Sequence, residues 1–502
     1  MHRGWVLGLG LTLYVAFFAL TIGLRWRQFD QPYTDFTWMT AHSQLIVDNW
    51  LENGFWNERG LSFLNPPSIE FPSRLSRQPY VALPCGAQLP VYILAKVFDR
   101  PVTPGVFHIW GLVWHGCIGL VLIGGLWLFD AKGQEPERTL GTFLPGFVWL
   151  GGWASLAFFP TLWFADIAVL LPFALVGLVE VIVARTLLRE RHRRWLTWSL
   201  PALIFWGTYT DWLFVPFIAV IFLYRLLRLR SIRATFSAFV WQVAMPAAAA
   251  ILLFLLQLGW ALGPYFGPAL LERFLVRSMD TAGALARHES LLWYVYGHFV
   301  ATMGVVTIAL TALALLLLCV RPGTIPGPLK DYVCLLLVPS VLLLLIFRQH
   351  AAVHQFIIVK FMIPVSILLG GILPRTLHFP HKPIILAVLC TVFLVHEGWR
   401  YWTSVDVPVD RQELALAEAV RSRFGYHDVL FTPEPGVEIP DVPPGQLARS
   451  RKRIYQFDAE RVAQLRTAIP EARMFLISTT GASDTRCPEK QALPPSFYYC
   501  RL

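Results

Sequence analysis

Charge is what this chain of 502 residues has least of. Asp, Glu, Lys and Arg make up 15% of it, where soluble domains carry about 25%, and hydrophobic residues fill 56%. A mean hydropathy of +0.54, in apolar runs parted by short basic or Pro/Gly-rich breaks, excludes an ordinary soluble protein and specifies a polytopic membrane protein. Cysteine is also scarce. Seven residues are too few for a disulfide scaffold, and Cys85, Cys117, Cys319, Cys334 and Cys390 lie in or beside apolar runs. Cys487 and Cys500 alone fall together in a polar region, where an oxidising compartment would permit a bridge. G-x-G-x-x-G, Walker, H-E-x-x-H, C-x-x-C and G-x-S-x-G motifs are missing in any confirming context, which removes soluble-type nucleotide enzymes and common serine hydrolases. No internal repeat of useful strength is visible, so the inverted-repeat transporters gain no support. The net charge of +10 sits in a few short loops between apolar runs, as membrane topology requires, and no nucleic-acid partner is expected.

The apolar runs predict an all-α bundle of about 11 spans, each near the 20 residues that a hydrocarbon core asks for. The candidates are 4–24, 106–129, 141–160, 166–188, 196–210, 212–228, 236–258, 291–320, 331–347, 355–373 and 383–398. The first run ends at Arg25, Trp26 and Arg27, not at the small residues of a cleavage site, and reads as an uncleaved span. Segment 80–98 is interrupted by Pro84, Gly86 and Pro90. Parity settles its treatment: if it crossed, the Arg-rich loops LLRERHRRW and RLLRLRSIR would go outside, against the positive-inside bias. It is therefore expected as an external in-plane or re-entrant helix, with the N terminus cytoplasmic.

Residues 1–398 then form a transmembrane module whose first external loop, 25–105, is too aromatic and apolar for a free linker. Residues 399–502 form a small external α/β appendage. VDRQELALAEAVRSRF fits a helix, HDVLF and RMFLIST fit short strands, and ARSRKRIYQFDAERVAQLRTAI contains another helix.

This topology gathers polar groups at one face. Asp35 sits among Tyr33, Phe36 and Trp38, with His42 a helical turn further on; a half-dry aromatic setting can poise a carboxylate as a base, although the aromatics also suit an interfacial belt. Asp166 begins a span at the same face, where it either caps the helix or lines a site. Asp211 stands in a turn between two spans, as a ligand or as a turn residue. His288 and Glu289 reach the outer end of another span, and FRQHAAVHQFIIVK brings Arg348, His350, His354 and Lys360 to a further one. Clustered donors of this kind, Lys360 among them, can hold a phosphate, with Arg348 suited to a bidentate grip; Lys360 could instead snorkel or pair with a carboxylate. A divalent cation would find Asp35, Asp166 and His288 as its first ligands.

In order along residues 1–373, YTDFTWMTAHS, QPYVALPCGAQLPVYILAKVF, WFADIAVLLPFALVGLVEVIVA and FRQHAAVHQFIIVKFMIPVSILLGG resemble segments of the C-type (GT-C) glycosyltransferases that use lipid-phosphate sugars. Within them the chain is most similar to the protein mannosyltransferase and aminoarabinose transferase group. The resemblance implies a GT-C helical bundle and inverting transfer of a sugar from a polyprenyl-phosphate donor to a hydroxyl or amine of a lipid, glycan or protein acceptor. It implies Asp35 as base, Asp166 as the second acidic position, and Arg348, His350 and His354 at the donor phosphate, in a bacterial inner membrane with the site on the periplasmic side. The sequence departs from the pattern where a double proline is reduced to LPCG and where Gln355 follows His354. A multi-span transporter of a lipid-linked or anionic solute is the alternative; it would place its charges near mid-bilayer.

Overall fold

The structure is a computed structural model that describes residues 2–29, 38–63, 79–130, 141–159, 161–228, 232–278, 291–376, 382–404, 411–425, 428–432, 454–468, 470, 472–478, 491–493 and 497–502. Helices dominate it, because in hydrocarbon only a helix or a closed barrel satisfies its own backbone N–H and C=O groups. Among the described residues, seven helical stretches are long and apolar enough to cross a membrane: Gly4–Trp26, Pro104–Phe129, Ala165–Ala184, Thr235–Ser278, Trp293–Val320, Gly327–Ile346 and Gln355–Thr376. The remaining runs expected to cross are helical but broken or polar-ended. Leu144–Gly151 and Trp153–Phe158 part at Gly152, Glu190–Thr208 opens on an Arg-rich turn, Phe214–Arg228 closes on one, and Lys382–Ser404 carries Glu397 and Arg400. Segment 80–98 yields only the ten-residue helix Leu89–Phe98. At about 1.5 Å per residue that is about 15 Å, too short for a hydrocarbon core of about 30 Å.

The chain divides into two compact units, one of residues 1–29, 81–87 and 108–406, the other of 30–80, 88–107 and 407–502. In the first, burial separates outer from central helices: 17% of the apolar window of Gly4–Trp26 is buried, against 78% for Ala165–Ala184 and 100% for Gln355–Thr376. A helix apolar all round belongs at the centre, and a charge placed on it is shielded from lipid. The Arg-rich helix ends are tied down by carboxylates. Arg225 grips Glu180 through Nε and Nη2 at 2.9 and 2.6 Å, and Asp331 receives Arg185, Arg228 and the Tyr224 hydroxyl. Asp166 and Glu180 are 14 residues apart on one run of helix, about 21 Å at 1.5 Å per residue, so these pairs lie far from Asp166.

The second unit holds a five-stranded sheet of order β2-β1-β3-β5-β4, made of β1 Asp428–Thr432, β2 Ile454–Gln456, β3 Arg473–Ser478, β4 Gln491–Leu493 and β5 Phe497–Arg501. β1 pairs in parallel with β2 and β3, while β5 runs antiparallel to β3 and β4. Strand alternation sends Val429 and Phe431 to one face, against Val462 and Leu465 of helix Ala459–Ala468. Leu430 goes to the other, against Leu416 and Val420 of helix Arg411–Arg423 and Leu45 of helix Trp38–Asn53. Cys500 is disulfide-bonded, and the five other cysteines described are free.

Candidate active site

The site starts from a lysine in a wholly buried stretch. Lys360 lies in the 3-10 turn Gln355–Phe361, which precedes helix Met362–Ile367. Its Nζ donates to Asp166 Oδ1 at 2.7 Å and to Asp211 Oδ1 and Oδ2 at 3.0 and 2.9 Å. All three side chains are at most 4% exposed. An ammonium has three donors, and here each meets a carboxylate oxygen.

Local structure aims both carboxylates. Phe164 is extended and opens the four-residue helix Ala165–Ala168, so Asp166 falls in a first turn, where helix amides favour a negative charge. Asp211 ends a turn after Glu190–Thr208 and accepts the Leu213 N–H through Oδ1 at 2.7 Å, the local bond by which Asp starts a new helix. Burial pushes the Asp211 carboxyl up; Lys360 pulls it down and the Asp166 charge adds to the push.

A wall that begins with two histidines stands beside this cluster. His350 is on the short helix Arg348–Val353 and His354 follows it, their rings 4.5 Å apart, with His354 stacked on Phe356 at 5.0 Å. Burial lowers His354 to about 4, with Asp166 pulling the other way and Arg277 and His298 reinforcing it. His350 is held well below its ordinary value by burial, then by Arg277, His354 and Lys360. Both imidazoles are therefore neutral near pH 7, each with one N–H to donate. His298 donates from Nε2 to the Ala352 carbonyl at 2.7 Å.

Arg277 links this wall to a strap, the non-helical run Val81–Ala87. Ala82 O accepts from Arg277 Nη1 at 3.4 Å and from the Trp212 indole at 2.7 Å. Gly86 O and Ala87 O accept the indoles of Trp206 and Trp163 at 3.1 and 3.0 Å. Gly86 N–H donates to Tyr209 O at 2.9 Å. A Cβ on Gly86 would stand 2.3 Å from that oxygen, so only glycine permits the approach. Next to the strap lies a cavity of about 540 Å³ with a mostly apolar lining, including Trp212, Leu270, Phe274 and Phe347 together with Arg273 and Arg277.

Of the residues singled out from sequence, the structure brings Asp166, Asp211 and Lys360 into contact and sets His354 within their electrostatic reach. Arg348 is exposed, and its Nε donates to the Ser278 carbonyl at 3.2 Å. His42 lies in the other unit, on helix Trp38–Asn53, and burial lowers it to about 4. Trp38 begins that helix; its side chain, and Tyr33, Asp35, His288 and Glu289, lie outside the described residues. Sequence reasoning passed over Arg273, Arg277 and His298. The signal for the arginines was present: four residues apart beside Leu270, Leu271 and Phe274, they give helix Phe266–Ser278 one basic and apolar face.

No protein-family profile matches the chain, and no curated protein matches it significantly. Solved structures do. ArnT from Cupriavidus metallidurans bound to undecaprenyl phosphate superposes with a TM-score of 0.60 at 10% identity, covering 99% of this chain and 98% of that one. The Archaeoglobus fulgidus oligosaccharyltransferase in the apo form gives 0.56 at 10% identity, over 93% of this chain and 69% of that one. AglB from the same organism, in complex with an inhibitory peptide and a dolichol-phosphate, gives 0.56 at 10% identity over 94% and 69%. The chain thus has the polytopic GT-C fold of these enzymes.

Proposed function

We propose that this chain, built on that fold, transfers a sugar with inversion from a polyprenyl-phosphate donor to an acceptor hydroxyl or amine. The observation that carries the reading is Arg277, which lines an apolar cavity with Arg273 and acts electrostatically on His350 and His354, while Asp166 of the buried Asp166–Lys360–Asp211 cluster acts on His354 as well. A lipid-phosphate needs both parts, greasy space for its tail and hydrogen-bond donors for its head. Two of the solved neighbours hold undecaprenyl phosphate and dolichol-phosphate. Their chemistry suits what this cavity offers.

In this reading Asp35 takes the proton of the acceptor, whose oxygen or nitrogen forms the new bond to the sugar's anomeric carbon. The bond from that carbon to the phosphate oxygen breaks, and its electron pair leaves with the polyprenyl phosphate. Arg277, Arg348, His350 and His354 supply donors to the charge that grows on the leaving group. Lys360 keeps Asp166 and Asp211 in place. A resident divalent cation does not fit the described side chains, because no three His, Cys, Asp or Glu residues gather and the Lys360 ammonium already bridges the two carboxylates. The Arg-rich helix ends far from Asp166 suit a cytoplasmic face, which supports a periplasmic site in a bacterial inner membrane.

The test is sugar transfer by the purified protein in nanodiscs with a polyprenyl-phosphate sugar and an extracted acceptor pool. Asp35→Asn should lower turnover at least a hundredfold at normal yield; a retained rate sinks the base assignment. Arg277→Ala should weaken donor binding about tenfold, and unchanged binding would move the phosphate elsewhere.

A further inference from the structure

Two helices of the bundle are broken, and one ion pair meets both breaks. At Gly152 the backbone is extended, with φ −66° and ψ 137°, so Trp153 opens a new helix with an amide that has no partner inside it. At Gly304, within Leu291–Val320, φ is 75° and ψ 152°, a conformation that side chains disfavour. The carbonyls just before such a break lose their intrahelical donors. Lys382–Ser404, the last helix of this unit, answers both needs with Glu397 and Arg400, one turn apart. Glu397 Oε2 accepts the Trp153 N–H at 3.0 Å, and Arg400 Nη2 donates to Ala301 O at 2.8 Å. Between them the pair is closed by Arg400 Nη1 at 3.0 and 3.1 Å from the carboxylate oxygens. The guanidinium also lies 5.6 Å from the Trp153 ring centre.

The signs match the helix ends. A carboxylate faces a helix N-terminus and a cation faces the closing carbonyls of a helix, the sense that peptide dipoles favour. Glu397 is 1% exposed, and ionisable groups inside a bundle are costly enough to need a reason. Both broken segments lead to the site. Trp153–Phe158 runs on to Trp163 and Asp166, and the part of Leu291–Val320 before Gly304 carries His298, bonded to Ala352 two residues before His354.

We propose that Glu397 and Arg400 are positioning residues, which by capping the breaks at Gly152 and Gly304 set where Asp166 and His298 stand. The kinetic part rests on the sugar-transfer reading; the structural part does not. Gly304 belongs to the same device, because a Cβ there would lie 2.6 Å from Arg400 Nη1.

The experiment compares full-length wild type with Glu397→Gln, Arg400→Gln and Arg400→Lys in nanodiscs. Amide hydrogen exchange should accelerate about tenfold in peptides covering 153–158 for Glu397→Gln and 298–304 for Arg400→Gln, with Arg400→Lys closer to wild type. In the transfer assay, kcat should fall about tenfold while the donor KM stays within threefold, and Arg400→Lys should recover part of it. Unchanged exchange in both segments overturns the proposal whatever the activity. So does a wild-type kcat in both Gln variants. If wild type transfers no sugar, the functional reading fails while exchange still decides the capping. Should Glu397→Gln fail to fold, Arg400→Lys, which keeps the charge and loses the fork, gives the same decision.

Discussion

Lys360 is the residue on which the site depends most directly. Its ammonium holds two carboxylates that would otherwise face each other in a dry interior. Lys360→Met should therefore lower stability by about 3–5 kcal/mol, the usual cost of stranding a buried charge, read as a fall in thermal midpoint in detergent. Adding Asp211→Asn should return part of the loss, because one stranded charge is then gone. If the double variant is no more stable than the single one, the two carboxylates do not share this ammonium. His354 makes a pH prediction. Its proton binds near 4 in the folded chain against an ordinary 6.5, so between those values the unfolded chain holds more protons. The stability it contributes is complete above pH 6.5 and is lost as pH falls through about 4. His354→Gln should flatten the acid side of a midpoint-against-pH curve; an unchanged curve would assign that slope to other groups, His350 and His42 among them.

At the scale of elements, the strap Val81–Ala87 is fixed by indole donors. Pro84 stops it from being a helix, and its carbonyls must then find donors elsewhere. Trp163, Trp206 and Trp212 supply them. Trp212→Phe removes one such bond and should cost about 1 kcal/mol. Gly86→Ala should cost more, about 1–3 kcal/mol, because the obstacle is backbone rather than a movable side chain. Both are measurable as midpoint shifts, and Gly86→Ala should also loosen the cavity that the strap borders. An Ala variant as stable as wild type would mean that the strap can move away from Tyr209. The helices show why the chain could be read so far by inspection. An apolar run of membrane length has one dominant solution, whereas the breaks at Gly152 and Gly304 are set by partners 90 or more residues away, as the bonds of Glu397 to Trp153 and Thr307 show.

For the whole molecule, the reading of topology makes a prediction of its own. A reporter active only outside the cytoplasm, fused after Leu502, should be active, and one inserted in the 185–189 connection before helix Glu190–Thr208 should be silent. The opposite pattern would invert the orientation and with it the proposed periplasmic site. The sheet of the second unit shows how local pattern carries over: HDVLF and RMFLIST appear as β1 and β3, and their alternate residues face separate helices. The parallel order β2-β1-β3 could not be read in the same way, because pairing between strands 20 or more residues apart leaves no local mark.

By itself the sequence determined that this is a helical membrane protein with a small α/β portion, and it picked out Asp166, Asp211 and Lys360 as unusual in their surroundings. Hydropathy and charge bias act along the chain, so they are written in consecutive residues. Only the tertiary structure decided that these three meet, that Arg277 and His298 join the same wall, and that Arg348 is exposed with its Nε on Ser278 O. Those contacts join residues 54 to 195 positions apart. Their geometry follows from how helices pack and break, which no single stretch of sequence contains.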